Sequence, residues 1–453
     1  MRGVRGLGDG KIGLRPRRLP GHPADPSAQR CYLTPFPSGY SSPGPGCNPH
    51  PTSPRYSPGN FGPPFPAEAA TRGGQVVLRT LSLESYRGFR RFELHDLGRV
   101  NLIVGTNNSG KTSILEAAHM LVGHGDATAI WSALARRGED YEVREDGRFL
   151  RNYSIRHLFA GHELAIGARF MLTGRTERTA IGFIAEVHDR EEADDRRFSQ
   201  PRLFESLDQP GTAEQASAYA LRLAWDGEPP IAVTVEVNRG GGVSGESIRR
   251  ARPVEAPRSV VRFITAAALS PDAVIEFFEG IVLTPEEEFI VRALQIIEPT
   301  IERLATSGTE RWRGTTYRST PKGGLLLRCA GIRDRIPIGS MGDGIWRLLG
   351  LSLALVHCRD GILLVDEIDT GLHYSVMEKM WRLVTETARR LNVQVFATTH
   401  SRDCFESLAA VCREDVSAGS EVTIQRIERE KGRSVAYTEQ EIVAAARRGL
   451  EVR

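Results

Sequence analysis

The pattern of apolar and polar positions becomes regular at residue 75 and opens with three predicted strands. Apolar residues alternate with polar ones around Leu81–Leu83 and Phe92–Leu94, and Val100–Val104 is a short continuous apolar run. Both patterns are typical of β-strands. Because apolar positions recur at helical spacing from Ile114 to Val122, the sequence predicts strand, loop and helix in succession.

The middle of the chain, residues 145–270, has the alternation of a β-rich region. Predicted strands lie at Ala165–Leu172, Ala180–Val187, Ala218–Trp225, Ile231–Val237 and Val260–Ala266. Residues 272–305 have a helical pattern, with Pro285 and the three glutamates that follow it marking a helix start. A hairpin-like stretch then leads to Gly339.

The last third repeats the opening order of strands and helices. It predicts a helix at Ile345–Cys358, a buried strand at Ile362–Val365, a helix at Ser375–Leu391 and a strand at Val393–Thr398. Helices that alternate with apolar strands favour a mainly parallel α/β sheet.

Composition separates the first 74 residues from the rest. They hold 15 of the 26 prolines and 13 of the 46 glycines, so we predict a disordered tail. A net charge of +3 excludes an obligate nucleic-acid coat. The longest uncharged apolar stretch, Leu348–Cys358, is shorter than the roughly 18–20 residues that cross a bilayer, so no membrane span is expected. Six scattered cysteines without a C-x-x-C pair and a start without a secretory signal predict a cytoplasmic protein.

A glycine loop lies between the third predicted strand and the first predicted helix. Gly105-x-x-x-x-Gly110-Lys111-Thr112 matches the P-loop pattern, in which backbone N–H groups surround phosphate. Lys111 would then neutralise phosphate oxygens, and the Thr112 hydroxyl could bind Mg²⁺. An ordinary strand-to-helix turn is the alternative, which the surrounding pattern disfavours.

Two carboxylates, Asp366 and Glu367, follow the buried strand Ile362–Val365. The first suits a Mg²⁺ shell and the second can polarise an attacking water. The alternative is that both only cap the next helix. The guanine-reading element Asn-Lys-x-Asp is absent from the sequence, which disfavours GTP.

A second loop of small residues, Ser340–Gly344, precedes the helix Ile345–Cys358. Small residues at a helix N-terminus form an anion site, and one nucleotide has little need of two such sites in one chain. We therefore interpret the loop as gripping the γ-phosphate held by another chain. An ordinary capped helix start is the alternative.

These motifs carry a family resemblance. Four blocks, Leu81–Phe92 with its Tyr-Arg-Gly-Phe, Asn101–Glu116, Pro337–Leu355 and Leu363–Leu408, resemble the ABC-type ATPases of the RecF, SMC and OLD group. Within that group, the chain is most similar to stand-alone bacterial AAA ATPases of the AAA15/AAA21 type. The resemblance implies an α/β P-loop NTPase head with a mainly parallel sheet, an antiparallel β subdomain and an inserted β-rich and helical subdomain.

The resemblance also implies roles for individual residues. Walker A would contact ATP through Gly105, Asn107, Asn108, Ser109, Gly110, Lys111, Thr112 and Ser113. The signature loop would act on the partner's nucleotide through Ser340, Gly342 and Gly344, and Asp369 would form the D-loop at the dimer interface. Thr112 and Asp366 would bind Mg²⁺, and the catalytic residues would be Lys111, Glu367 and the switch histidine His400.

The same blocks suggest the domain organisation. We divide the chain into a tail (1–74), the N-terminal part of the ATPase core (75–144), an insertion (145–310), the C-terminal part of the core (311–412) and a C-terminal extension (413–453).

Two departures from the family pattern stand out. The Q-loop glutamine has no clear equivalent, because Gln200, Gln209 and Gln215 fall in polar loop sequence. The 53 residues after His400 contain no Asp-x-Asp, so a nuclease domain of the OLD type is not expected.

Two biological functions remain open. The first is an ATP-dependent homodimer that acts on DNA in repair or anti-phage defence, which the Arg249–Arg252 and Arg311–Arg313 stretches favour. The second is a protein-sensing switch that controls a separately encoded nuclease or toxin through residues 145–270.

Overall fold

The computed structural model describes residues 77–145, 148–190, 217–226, 230–251, 260–306, 324–414 and 421–448. The predicted tail, residues 1–74, lies outside these ranges, as do the three glutamines considered for the Q-loop.

The described residues form strands and helices that alternate along the chain. Strands β1 to β18 span Leu78–Tyr86, Phe89–Leu94, Val100–Val104, Asp140–Glu145, Arg148–Ser154, Arg169–Thr176, Ala180–Asp189, Ser217–Asp226, Ile231–Asn238, Gly242–Ser244, Val261–Ile264, Ile301–Thr306, Leu325–Cys329, Ile336–Pro337, Ile362–Val365, Gln394–Thr399, Val422–Glu428 and Arg433–Thr438. Helices α1 to α9 span Lys111–Val122, Thr128–Arg136, Gly245–Arg250, Pro271–Glu279, Pro285–Leu294, Asp343–Val356, Tyr374–Arg390, Arg402–Glu414 and Glu439–Arg447.

One twelve-stranded sheet organises the described part of the chain, in the order β11-β15-β16-β3-β17-β18-β2-β1-β6-β7-β8-β9. From β11 to β17, neighbouring strands are parallel. From β2 to β9, neighbouring strands are antiparallel. Two small sheets, β10-β5-β4 and β12-β13-β14, accompany it. The predicted α/β class is confirmed, and its parallel and antiparallel parts belong to one continuous sheet.

Segments outside the predicted core contribute to this sheet. From the predicted insertion, β6 to β9 extend the antiparallel part, and β11 pairs with β15 at the opposite edge. From the predicted C-terminal extension, β17 pairs with β3 near the centre. The predicted boundaries follow the order of motifs along the chain, whereas the sheet is assembled from all of these segments.

The helical pattern predicted for residues 272–305 ends earlier in the structure. Helices α4 and α5 occupy its first part, and β12 begins at Ile301. Pro299, between α5 and β12, disfavours a helix that continues through this stretch, because proline lacks a backbone N–H and disfavours helix in the residue before it. Ile301 and Leu304 face the core from the strand, a spacing that a helix would also allow.

Both faces of the parallel strands are covered by helices. Leu102 and Leu363 lie in a core shared with α4 to α9, whereas Ile103 and Leu364 lie in a second core shared with α1 and α2. Every residue of β3 and β15 is therefore buried. This explains why both strands have continuous apolar sequences instead of an alternating pattern.

His119, on α1, is a titratable group within the second of these packed regions. Burial lowers its pKa to about 4; the positive charge of Arg136 adds to this effect, and Asp126 opposes it. The ring also lies 6.1 Å, between centroids, from Phe263 of β11. The folded chain therefore binds a proton at His119 less readily than the unfolded chain, whose histidine pKa is about 6.5.

We predict that the free energy of unfolding falls as the pH is lowered from about 6.5 to 4, with roughly 3 kcal/mol of the loss due to His119. The sign follows because protonation favours the unfolded state. Urea unfolding of the His119→Gln variant should show a correspondingly flatter pH dependence. The exposed His95→Gln variant is the control, and equal slopes in all three proteins would contradict the assignment.

Candidate nucleotide site

The P-loop connects the end of β3 to the start of α1, and glycine is required at two of its positions. Gly105 and Gly110 have φ angles of 155° and 99°, which other residues rarely adopt. A Cβ on Gly110 would also lie only 2.3 Å from the Phe89 ring. The Phe of the Tyr-Arg-Gly-Phe motif thus packs directly against this loop and supports its shape.

The polar groups of the loop form a cradle whose chemistry suits an anion. Lys111 Nζ donates to the carbonyl oxygens of Gly105 (2.9 Å) and Thr106 (3.0 Å). Burial lowers the pKa of Lys111, and the charges of Asp366 and Glu367 oppose that effect. Ser109 Oγ is buried and has no hydrogen-bond partner among the described residues. Together with the N-terminal amides of α1, these groups suit a phosphate.

Asp366, directly after β15, lies beside the first turn of α1. Thr112 Oγ1 donates to Asp366 Oδ2 at 2.9 Å, and Thr398 Oγ1 donates to Asp366 Oδ1 at 2.6 Å. A hydroxyl and a carboxylate are the hard oxygen ligands that Mg²⁺ prefers. Because the described residues hold no group of three or more His, Cys, Asp or Glu side chains placed to bind a metal ion, the remaining Mg²⁺ ligands would be phosphate and water.

Glu367 and His400 lie together at the same edge of the sheet. His400 Nδ1 is 3.7 Å from Glu367 Oε1, and both side chains are partly exposed. Thr370 Oγ1 donates to Glu367 Oε2 at 3.2 Å, and the Glu367 N–H donates to Thr398 Oγ1 at 2.8 Å. Glu367 has a φ of 48°, a left-handed conformation held by these contacts. Its carboxylate is available to a water molecule.

The segment that follows Asp369 lies next to the end of the 340–344 loop. Thr399 Oγ1 donates to Asp369 Oδ1 at 2.7 Å, and the Ser401 N–H donates to Thr399 Oγ1 at 2.9 Å. A Cβ on Gly344 would lie 3.1 Å from the carbonyl oxygen of Gly371, two residues after Asp369. Ser340 and Gly342 are exposed.

The remaining residues expected at Walker A have different surroundings. Asn107 and Asn108 are exposed in the loop, and Asn108 has a φ of 62°. The Ser113 hydroxyl accepts a hydrogen bond from Arg137 Nη2 at 3.0 Å. The group of Ser113 that remains for a phosphate is therefore its backbone N–H in the first turn of α1.

Arg347 is a site residue that sequence reasoning missed. It is 3% exposed and donates to the carbonyl oxygens of Thr265 (2.6 Å), Asp366 (2.9 Å) and Glu367 (2.8 Å). Burial lowers its pKa, and the charge of Asp369 is the largest of those that oppose the shift. The sequence feature that could have identified it is a single arginine within the largely apolar helix α6. Arg347 connects the helix after the 340–344 loop to the end of β15.

An ion cluster centred on the buried residues Arg87 and Glu116 lies behind the P-loop. Glu116 of α1 is 2.9 Å from both Arg87 Nε and Arg137 Nε, and Arg87 Nη1 is 2.8 Å from Glu139. Burial also raises the pKa of Tyr86, whose hydroxyl is 3.3 Å from Glu116. The Tyr-Arg part of the motif thereby fixes α1 against the β1–β2 turn.

The strand, glycine loop and helix, with a Thr–Asp pair across two parallel strands, define a P-loop nucleotide-binding ATPase core. Residues 100–403 match the family described as "AAA domain, putative AbiEii toxin, Type IV TA system", and the chain belongs to this family. The predicted similarity to stand-alone bacterial AAA ATPases of the AAA21 type is thereby confirmed.

Two curated relatives show how far the similarity extends. A protein of Helicobacter pylori (strain ATCC 700392 / 26695) named ATP/GTP phosphatase is 20% identical over 365 residues, 75% of this chain and 89% of its own length. The DNA replication and repair protein RecF of Bacillus velezensis is 36% identical over 81 residues, which are 18% of this chain and 22% of RecF.

Among solved structures, an SmcHead bound to the C-winged helix domain of ScpA is similar at a TM-score of 0.38 and 13% identity. That match covers 80% of this chain and 98% of the SmcHead chain. No helix of the described residues is long and apolar enough to cross a membrane.

Proposed function

We propose that the chain hydrolyses ATP with Mg²⁺ and that two copies close head-to-head around the nucleotide, in DNA repair or anti-phage defence. The observation that carries the hydrolytic part is the convergence of Thr112, Asp366 and Glu367 beside the P-loop. These three residues come from sequence positions up to 255 apart and meet where a γ-phosphate would lie on this cradle.

Each side chain has a distinct task in this proposal. Lys111 and the loop amides stabilise the phosphate charge, and Lys111 exchanges its two carbonyl acceptors for phosphate oxygens. Thr112 and Asp366 hold Mg²⁺, which supplies charge neutralisation at the phosphates when bound. Glu367 orients the attacking water, and His400 contacts the γ-phosphate from the end of β16.

The second cradle supports the dimer. Ser340 and Gly342 are exposed, and no hydrogen bond of the Ser340 side chain occurs among the described residues. A helix N-terminus with small residues and unused polar groups suits an anion from outside the chain. With two-fold symmetry, the loop of each chain would complete the site of the other.

ATP is the proposed nucleotide because the sequence contains no guanine-reading Asn-Lys-x-Asp element. The name of the Helicobacter pylori relative mentions both ATP and GTP. Competition between ATP and GTP for binding to the wild-type chain is therefore the direct test of nucleotide choice.

We predict that Glu367→Gln lowers the rate of ATP hydrolysis by about a hundredfold while ATP still binds, because the amide cannot accept a proton from water. With saturating Mg·ATP, analytical ultracentrifugation should show this variant as a dimer. Lys111→Ala is the control and should show no ATP binding by calorimetry and no dimer. Wild-type hydrolysis by Glu367→Gln would contradict its role, whereas slow hydrolysis by a strictly monomeric protein would contradict only the dimer.

We further predict that two inactive variants restore activity when mixed. A Lys111→Ala chain keeps its 340–344 loop, and a Ser340→Arg chain keeps its P-loop. A mixed dimer contains one complete site, so an equal mixture should recover up to about a quarter of wild-type ATP hydrolysis. The control is each variant alone at the same total concentration. A mixture as inactive as its components would show that the site does not combine two chains.

The biological assignment rests on narrower support. Similarity to RecF favours action on DNA. Arg249 and Arg250 lie on α3, but Arg250 pairs with Glu246, which reduces its availability to phosphate. Arg252, Arg311 and Arg313 lie outside the described residues. The second candidate is a switch for a separately encoded toxin or nuclease, which the toxin–antitoxin wording of the family description favours.

For the first candidate, we predict DNA binding that increases with Mg·ATP and weakens steeply as salt is raised, because released counterions drive such binding. A gel-shift series with the Glu367→Gln variant measures it, and Lys111→Ala is the control for the effect of ATP. Lack of ATP-modulated binding at low salt would exclude direct DNA action and leave the effector switch as the function to pursue.

A further inference from the structure

Two histidine rings outside the P-loop segment lie edge-to-face beside each other. His157 Nδ1 and His162 Nδ1 are 3.2 Å apart, and the two ring centroids are 5.1 Å apart. His162 is exposed and His157 is half-buried. The Nδ1 atoms of the two rings therefore point towards one common region that solvent can reach.

These two distances match ligands that share one metal ion. The Nδ1 lone pair points directly away from its ring centroid, and zinc–nitrogen bonds are about 2.0–2.1 Å long. Two rings on one tetrahedral zinc ion therefore place their Nδ1 atoms about 3.3 Å apart and their centroids about 5.2 Å apart.

A hydrogen bond between the rings fits less well. A straight N–H···N bond with the observed nitrogen separation would place the centroids about 5.5 Å apart, because both ring axes then lie on one line. The observed 5.1 Å requires the axes to meet at an angle. Bonds to a common cation impose such an angle, whereas a hydrogen bond is weakened by it.

The backbone holds the two rings in place. His157 lies in the 3-10 turn Arg156–Leu158, and His162 ends the turn Ala160–His162. Leu158 and Phe159, between them, are buried and anchor the segment. His162 has a φ of 61°, a left-handed conformation that costs free energy in a residue other than glycine. A bond at its ring would offset that cost.

We propose that His157 and His162 form a binding site for a divalent transition-metal ion such as Zn²⁺. Their His-x4-His spacing falls within the range of zinc-binding histidine pairs, and neutral imidazole suits Zn²⁺, Ni²⁺ and Cu²⁺. The described residues offer no group of three or more such ligands, so water or an external ligand completes the coordination.

The site braces a segment that supports the P-loop. The Arg87 N–H donates to the Leu158 carbonyl at 2.8 Å, and Phe159 forms a β-bridge with Tyr86. Arg87 in turn pairs with Glu116 of α1. Metal binding would therefore stabilise the folded chain around residues 155–162 and leave the Mg²⁺ ligands of the nucleotide site unchanged.

Zinc titration of the chelator-treated full-length chain tests the proposal, in excess Mg²⁺ so that the nucleotide site does not bind Zn²⁺. Competition with a chromophoric chelator gives stoichiometry and affinity. We expect His157→Ala and His162→Ala each to bind one zinc ion fewer than wild type. Exposed His95→Ala is the matched control and should bind as wild type does. Circular dichroism of each metal-free variant checks the fold.

His157→Asn separates the two interpretations, because an asparagine amide can hydrogen-bond to His162 but is a poor zinc ligand. Loss of the zinc ion and of zinc-induced thermal stabilisation in this variant supports the metal site. A variant with both His157→Ala and His162→Ala completes the series. If it, His157→Asn and wild type all bind the same number of zinc ions, the proposal is wrong and the rings form only a hydrogen-bonded pair.

Discussion

The contact between the Thr112 hydroxyl and the Asp366 carboxylate is the interaction on which the site depends. It joins residues 254 positions apart, and it forms because β3 and β15 flank β16 in a parallel arrangement. The carboxyl ends of parallel strands meet at one edge of a sheet, so the residues that follow them converge. If β16 ran antiparallel to its neighbours, Thr398 would lie at the opposite edge of the sheet, and Asp366 would lose this hydrogen-bond donor.

The same edge connects the P-loop to the 340–344 loop. Helix α6 begins just after the 340–344 loop, and Arg347, one turn into it, holds the carbonyl oxygens of Asp366 and Glu367. The buried guanidinium makes three hydrogen bonds in a fixed planar arrangement, so a displacement of α6 would disturb them together. In the proposed dimer, an anion at the 340–344 loop would therefore act on the carboxylates of the P-loop site through one rigid helix.

Local features made much of the site predictable. The P-loop glycines, the apolar strands and the carboxylates after β15 can all be predicted from short stretches of sequence, because backbone conformation and burial impose them locally. The sequence did not reveal the roles of Thr398, Thr399 and Arg347, because those roles depend on strands that pair only in the folded chain. The central position of β17 is hidden for the same reason, since nothing in its own sequence specifies β3 as its partner.

The P-loop is supported by an ion cluster that holds α1 and by the segment 157–162, which holds the Arg87 backbone. The ion cluster places charged side chains inside the core. Arg87 and Glu116 are buried and pair with the partly buried Glu139 and the exposed Arg137, although burying charges has a large desolvation penalty. Apolar residues could fill that space but could not fix the direction of α1 through paired hydrogen bonds. Since the Arg87 backbone is itself held by Leu158, any ligand that orders residues 157–162 acts on the turn that presents Phe89 to Gly110. The shape of the P-loop thus depends on contacts that lie outside the loop itself.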